Sequence, residues 1–413
     1  MKRVLMGVGL FLAMLFLILR PLYAQEAKGL DPGWLSLDSS VGLIDKRVDD
    51  AKSALEKALR ISISGFLDTS YTWSSNRPGF GSSDDISLRF FDQDHNEVAF
   101  NHFNLTLEKP EKDWGVGLKL VADFGRTAEL LREATLWGSK FQVPGVNGGE
   151  PSAELREAFI TFTLPIGKGL QVKGGKFVTL MGTEVIPAPG SPNPNISRSF
   201  LFNFAIPFTH TGALFTYPVV DMLTLMGGPV TGWDNPHDNN RQPSFHGGFT
   251  FTPAEVFSLT TSVMDGPEQK HHSGRNRFTF SNVATIKPMS ALTLFLEYSY
   301  GHEEKVTASL RNATWQGWAA IASYDWTERF NTAVRGEFFR DSDGVRTGGD
   351  LLGTHEDVRL GELTLTAAYK FTAKLLGRVE VRQDSANRGV FQEGNTGSDR
   401  QQTTFALQAI YTF

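Results

Sequence analysis

The feature that most constrains this chain is an alternation of apolar and polar residues that recurs from residue 61 to the end, with connections that are alternately long and short. Period-two patterning belongs to a strand with one apolar and one polar face. In the first run Ile61, Ile63, Leu67, Tyr71 and Trp73 fall on one side, and Ser62, Ser64, Asp68, Ser70 and Thr72 on the other. The same pattern returns in 116–124, 292–300 and 363–371. Sixteen strands are predicted, at about 61–74, 98–109, 114–124, 154–164, 169–178, 208–217, 221–231, 243–252, 256–264, 276–287, 291–301, 313–324, 330–341, 360–371, 374–384 and 402–413. Short connections fall at 110–113, 165–168, 218–220, 253–255, 288–290, 325–329 and 372–373. Long ones fall at 75–97, 125–153, 179–207, 232–242, 265–275, 302–312, 342–359 and 385–401. Strict long–short alternation is the asymmetry of a barrel embedded in an outer membrane, with short periplasmic turns and long external loops. A soluble sandwich has no reason to keep it. The expected fold class is therefore all-β: a transmembrane antiparallel β-barrel of about sixteen strands over 61–413. An even strand number puts both ends on the periplasmic side.

The polar faces carry Lys119, Asp123, Glu157, Lys173, Glu297, Arg335, Glu337, Arg378, Glu380 and Arg382. Such charges call for water, which a lumen supplies, and sixteen to eighteen strands leave an aqueous channel where eight are filled by side chains. Trp73, Trp114, Tyr217, Trp326, Tyr369 and Tyr411 lie near strand ends, where amphipathic rings form interfacial girdles. The chain has no cysteine, which excludes a disulfide framework and an iron–sulfur cluster. A net charge of −5 gives no reason to expect a nucleic-acid partner.

Two segments precede the strands. Lys2 and Arg3 followed by the apolar run Val4 to Leu19 read as a signal peptide over 1–24, cleaved after Ala24. Within 25–60, Ile44, Val48, Ala51, Leu55 and Ala58 recur at helical spacing among charged residues. This predicts a periplasmic amphipathic helical segment, which either joins subunits into a homo-oligomer or stands alone.

The last strand puts Phe405, Leu407, Ala409, Tyr411 and Phe413 on one face. It is similar to the terminal signal that the barrel assembly machinery of Gram-negative bacteria reads, with Tyr411 and Phe413 as its aromatic positions. A second resemblance lies in Gly175-Lys176-Phe177 with Gly182 and Glu184, then Asn195, Ser197 and Ser199, then Pro207-Phe208-Thr209-His210-Thr211-Gly212. The stretch resembles the OmpL-like family of β-barrel porins, most sharply over 170–220 and more loosely from 61 to 413. The resemblance implies a barrel in the outer membrane, in contact with lipid and passing small hydrophilic solutes. It implies no established substrate and no binding residue.

The third long loop, 179–207, contains Pro187, Pro189, Pro192 and Pro194, and Glu184 is its one acid before Arg198. Proline limits its freedom, so a stiff loop folding into the lumen is the expected constriction. Its candidate residues are Glu184 and Arg198 with Lys119, Glu157 and Lys173 on neighbouring strands. Asn195, Ser197 and Ser199 are expected to bond those three wall residues. Catalytic signatures are absent: there is no Gly-x-Ser-x-Gly, His-Glu-x-x-His or phosphate-binding Walker loop. The remaining alternatives are an adhesive or structural barrel and a barrel-embedded hydrolase seeded by Asp94-His95, His102, His210 or His237-Asp238. His271 and His272 are adjacent and point apart on extended backbone, so no metal is expected, and no cofactor is implied.

Overall fold

In the computed structural model, which describes residues 46, 49–79, 85–111, 115–137, 153–187, 193–349 and 356–413, each alternating run forms an antiparallel strand. In chain order these are β1 (Ser62–Ser74), β2 (Glu97–Lys109), β3 (Gly117–Phe124), β4 (Ala153–Leu164), β5 (Leu170–Val178), β6 (Thr209–Val220), β7 (Leu223–Val230), β8 (Ser244–Ala254) and β9 (Phe257–Pro267). There follow β10 (Asn276–Met289), β11 (Leu292–Glu303), β12 (Ala313–Asp325), β13 (Phe330–Asp341), β14 (Val358–Lys370), β15 (Leu375–Ala386), a small hairpin of β16 (Phe391–Glu393) and β17 (Gly397–Asp399), and β18 (Gln401–Thr412). Each barrel strand pairs with its sequence neighbours, and β18 closes the cylinder against β1 and β15, so the barrel has sixteen strands. At the seam Phe66 faces Thr412 and Ser74 faces Thr404. Closure leaves no edge with unpaired backbone groups, the condition for a sheet to sit in lipid.

The register sorts side chains as period two requires. On β1, Asp68, Ser70 and Thr72 are buried inward while Leu67 is exposed outward. On β14, Leu363 is half-exposed on the outer wall and Glu362, Thr364 and Thr366 are buried within. Pro218, Pro253 and Pro288 sit inside the ends of β6, β8 and β10 rather than in the turns, and pairing shifts register beside each of them. Proline has no N–H to give the ladder, so the pairing bulges there. Tyr217, Tyr369 and Tyr411 lie at the short-turn ends of their strands, Trp326 follows β12 at that end, and Trp73 lies at the opposite rim. The signal segment 1–24 and Trp114 lie outside the described residues.

Residues 49–59 form a helix, α1, ahead of β1. It is tied to the barrel by Glu56 Oε1, which accepts the Ile63 N–H at 2.7 Å, and by Asp49, 2.6 Å from Lys374. A second helix, α2 (Arg126–Trp137), interrupts the second long loop, which the sequence reading leaves irregular. It starts after Gly125, whose φ is +96°, and buries Ala128, Leu130 and Leu131 toward β2, β3 and β4.

The long loops do not all stand in water. Leu88 and Phe90 from the first, Leu130 and Leu131 of α2, Met181, Ile186 and Phe200 to Phe208 from the third, Trp233 from the fourth and Phe391 from the last join wall residues such as Phe177, Trp315 and Phe339 in one buried apolar cluster. The lumen therefore holds a packed core of its own, toward the long-loop end.

Candidate functional site

The third long loop fixes the geometry of the lumen. It leaves β5 with Thr179 Oγ1 3.1 Å from His210 Nε2, and Leu180 N–H donating to His246 Nε2 at 3.2 Å. It bends at Gly182, where φ is +84° and an added Cβ would come within 2.4 Å of the Ile206 side chain. Only glycine suits that turn. The loop then crosses the lumen. Gly182 N–H reaches Ser281 Oγ at 3.2 Å and Thr183 N–H reaches Glu297 at 2.8 Å.

On the far wall the loop backbone is gripped by charges. Glu380 accepts the N–H groups of Ile196 and Ser197 at 2.5 and 2.9 Å. Glu337 accepts those of Phe200 and Leu201 at 2.6 and 2.5 Å. Guanidinium groups take the carbonyls: Arg335 bonds Ser197 O at 2.7 Å, Arg382 bonds Arg198 O at 2.6 Å, and Arg378 bonds Asn193 O and Asn195 O at 3.0 and 3.2 Å. Backbone groups removed from water need partners, and charged ones are the stronger kind. Residues Leu201–Ala205 then form one π-helical turn, wholly buried. Gly317 on β12 makes room for it, since a Cβ there would lie 2.9 Å from Leu201 Cδ2. The loop exits where Asp234 Oδ1 accepts the N–H groups of Phe208 and Thr209 at 2.6 and 2.8 Å.

Lumen charges form a chain rather than a solvated lining. Asp92 meets Arg89 at 2.7 Å, Arg89 meets Asp384 at 2.9 Å, and Arg382 meets Asp384 at 2.6 Å. Arg382 and Arg335 share Glu362, and Arg335 reaches Glu184 at 2.8 Å. This corrects the expectation of water for Arg335, Glu337, Glu380 and Arg382, which are buried against the infolded loop and bonded to opposite charges and backbone dipoles, whereas Lys119 and Lys173 stay partly exposed. The expected bonding of Asn195, Ser197 and Ser199 to Lys119, Glu157 or Lys173 is likewise corrected. Asn195 bonds Thr366 at 2.7 Å, Ser197 meets Glu380 and Arg335, and Ser199 N–H donates to Glu184 at 2.8 Å. The loop spans to β13–β15 because its anchoring acids lie there.

The five residues named for the constriction thus fall into two groups. Lys119 pairs with Glu157 at 3.2 Å, and Lys173 lies over the Phe159 and Phe177 rings on adjoining strands. Glu184 and Arg198 belong to the loop, where burial pushes the Arg198 guanidinium down to about 10. Tyr411 sits in the seam opposite Leu67 and Leu375. Phe413 exchanges backbone hydrogen bonds with Gly65 and stacks on Phe103. Glu337 and Glu380 are lumen charges in the sequence, but no spacing reveals that their partners are backbone amides.

Between the loop and the β1–β18–β15 wall lies a cavity of about 450 Å³. Asp68, Ser70, Asn101, Arg378 and Gln408 line it from the wall, Asn193, Ile196 and Arg198 from the loop, and Phe91 and Asp92 from the first long loop. Lys370 and Lys374 stand at its short-turn end. Elsewhere His102 Nε2 lies 2.8 Å from Asp123, which also faces Arg156 at 3.3 Å. Among the described residues no group of three or more His, Cys, Asp or Glu is arranged to hold a metal.

Comparison with known proteins places this geometry. The model of a family described as "Putative beta-barrel porin-2, OmpL-like" matches residues 60–413. No curated protein matches the sequence. Among solved structures, an anion-selective porin from Comamonas acidovorans is similar at a TM-score of 0.56 and 10% identity, with 86% of this chain and 99% of that one covered. The outer membrane channel DcaP of Acinetobacter baumannii is similar at 0.55 and 12%, with 86% and 97% covered. The trimer form of OmpT, an outer membrane protein of Vibrio cholerae, is similar at 0.55 and 11%, with 86% and 99% covered.

Proposed function

The chain belongs to the OmpL-like family of β-barrel porins, and from that premise we propose that small hydrophilic solutes pass the infolded loop 179–207 through the cavity beside β1, β18 and β15. The protein is an outer-membrane porin of the Gram-negative type, and its sixteen-stranded closed barrel is the channel wall. The observation that carries the finer reading is the loop itself. It is bonded to β10, β11, β13, β14 and β15 across the lumen, and the cavity of about 450 Å³ lies on its free side. A passage narrowed this way admits small solutes and holds back large ones. Nothing in this reading calls for catalysis or a cofactor. Assembly into homo-oligomers, as in the trimer form of the Vibrio cholerae protein, and recognition of Tyr411 and Phe413 by the assembly machinery belong to the same proposal.

Liposome swelling tests it. Vesicles carrying the refolded protein should swell in small neutral sugars and progressively less as the sugar grows. Folded protein that gives no swelling with the smallest solute would refute a diffusion pore.

A further inference from the structure

The buried arginines of the lumen fall into two kinds. Arg89, Arg156, Arg277, Arg335 and Arg382 each have a carboxylate oxygen within salt-bridge distance. Arg198 and Arg378 have none within 4.0 Å among the described residues. Both line the cavity beside the loop. Arg198 uses Nε and Nη1 on the carbonyls of Val185, Asn195 and Ile196. Arg378 uses Nε on Gln408 and Nη1 on Asn193 and Asn195. Neutral carbonyls fix these guanidiniums without cancelling their charge, and each Nη2 has no protein partner among the described residues. Arg346, also without a carboxylate, is enclosed between the Trp233 and Trp315 rings and lies outside the cavity.

The acids of the cavity do not offset this. Asp92 is engaged by Arg89 at 2.7 Å. Asp68 accepts from Asn101 at 3.1 Å and from Gln408 at 2.8 and 2.7 Å. Lys374 is matched by Asp49, whereas Lys370 has no such pair among the described residues. Among the residues lining the cavity, Arg198, Arg378 and Lys370 therefore stand against Asp68, while Glu184 and Glu380 act on the two arginines from behind the lining. A narrow passage with low-dielectric walls focuses such an excess. On each arginine the two Nη2 hydrogens remain, and a charged donor of this kind suits a carboxylate or phosphate oxygen better than a neutral solute group.

We propose that the cavity between loop 179–207 and the β1–β18–β15 wall is an anion-binding subsite, in which Arg198 and Arg378 receive the carboxylate or phosphate group of a passing solute. The inference rests on the porin reading and adds the substrate class. Lys370 at the short-turn end draws the anion along the same side.

Planar bilayers holding the full-length protein test both levels separately. Under a potassium chloride gradient the reversal potential should show chloride preferred over potassium. Arg198→Gln and Arg378→Gln should each lower that ratio by about threefold, as loss of one focused charge implies. Inorganic phosphate and succinate, each at millimolar concentration, should both reduce the wild-type chloride current. The Arg378→Lys variant keeps the charge but cannot both hold the loop carbonyls and present a fixed Nη2, so it should keep the chloride preference and lose most of the phosphate block. A conducting wild type without anion preference, or Gln variants that conduct and keep both preference and block, would overturn the subsite and leave the channel standing. Folded protein that conducts nothing would contradict the channel and the subsite together.

Discussion

Two glutamates show what single residues do here. Glu337 and Glu380 each hold a pair of loop N–H groups away from water. Glu337→Ala would strand the buried N–H groups of Phe200 and Leu201, at about 1–3 kcal/mol for each lost partner. The temperature at which the barrel loses its heat-modifiable form should fall accordingly, with Glu337→Gln between the two because it keeps an acceptor oxygen. An unchanged transition in Glu337→Ala would remove Glu337 from the anchoring set. Glu268, just beyond β9, accepts from Trp233 N–H at 2.7 Å and Ser244 Oγ at 2.6 Å, and burial pushes its carboxyl up to about 7. The folded state therefore binds this proton more tightly than the unfolded chain does. Its contribution is complete below about 4.5 and is lost as pH rises through about 7. Protection of the Trp233 amide, taken relative to its intrinsic base-catalysed exchange rate, should fall over that rise, and Glu268→Gln should flatten the dependence; wild-type protection that does not change with pH would argue against it. Little of this is legible in sequence. Alternation gives the inward direction of Glu337 and Glu380, but a carboxylate that binds backbone leaves no partner residue to find. The motif of Asn195, Ser197 and Ser199 is visible as a pattern, and its meaning as a set of loop anchors appears only once Thr366, Glu380 and Glu184 are beside it.

At the scale of elements the strands were the readable part, because period two and the position of turns are local properties. Prolines 218, 253 and 288 mark the right ends of the right strands, although they sit in the strands and bulge them. The helix Arg126–Trp137 carries its own signal in the spacing of Ala128 and Leu131, hidden by the length of the loop around it. The run from Phe200 to Phe208 is too apolar for a water-facing loop, and that is the legible sign that it turns inward. The two faces of a strand should respond differently to charge. Leu363→Arg on the outer wall should cost about 2–4 kcal/mol near the midplane in refolding titrations into vesicles. Glu297→Gln on the inner wall keeps an oxygen for Thr183 N–H and should cost less. Equal costs would contradict the assigned faces.

For the molecule as a whole, closure of β18 on β1 converts sixteen marginal strands into one wall, and the infolded loops convert a wide cylinder into a narrow one. Strand count set the outer dimension and was available from sequence. The inner dimension depends on contacts between residues more than a hundred positions apart, such as Glu184 with Arg335 and Thr183 with Glu297, which no local pattern encodes. The central claim is a water-filled channel whose width is set by a loop clamped at Glu337 and Glu380. Single-channel recording of the wild type beside the Glu337→Ala/Glu380→Ala double variant measures it directly. Discrete conductance steps are predicted for the wild type, with larger steps once both clamps are removed; a folded, inserted wild type that passes no current, or a double variant with steps of the same size, would contradict it.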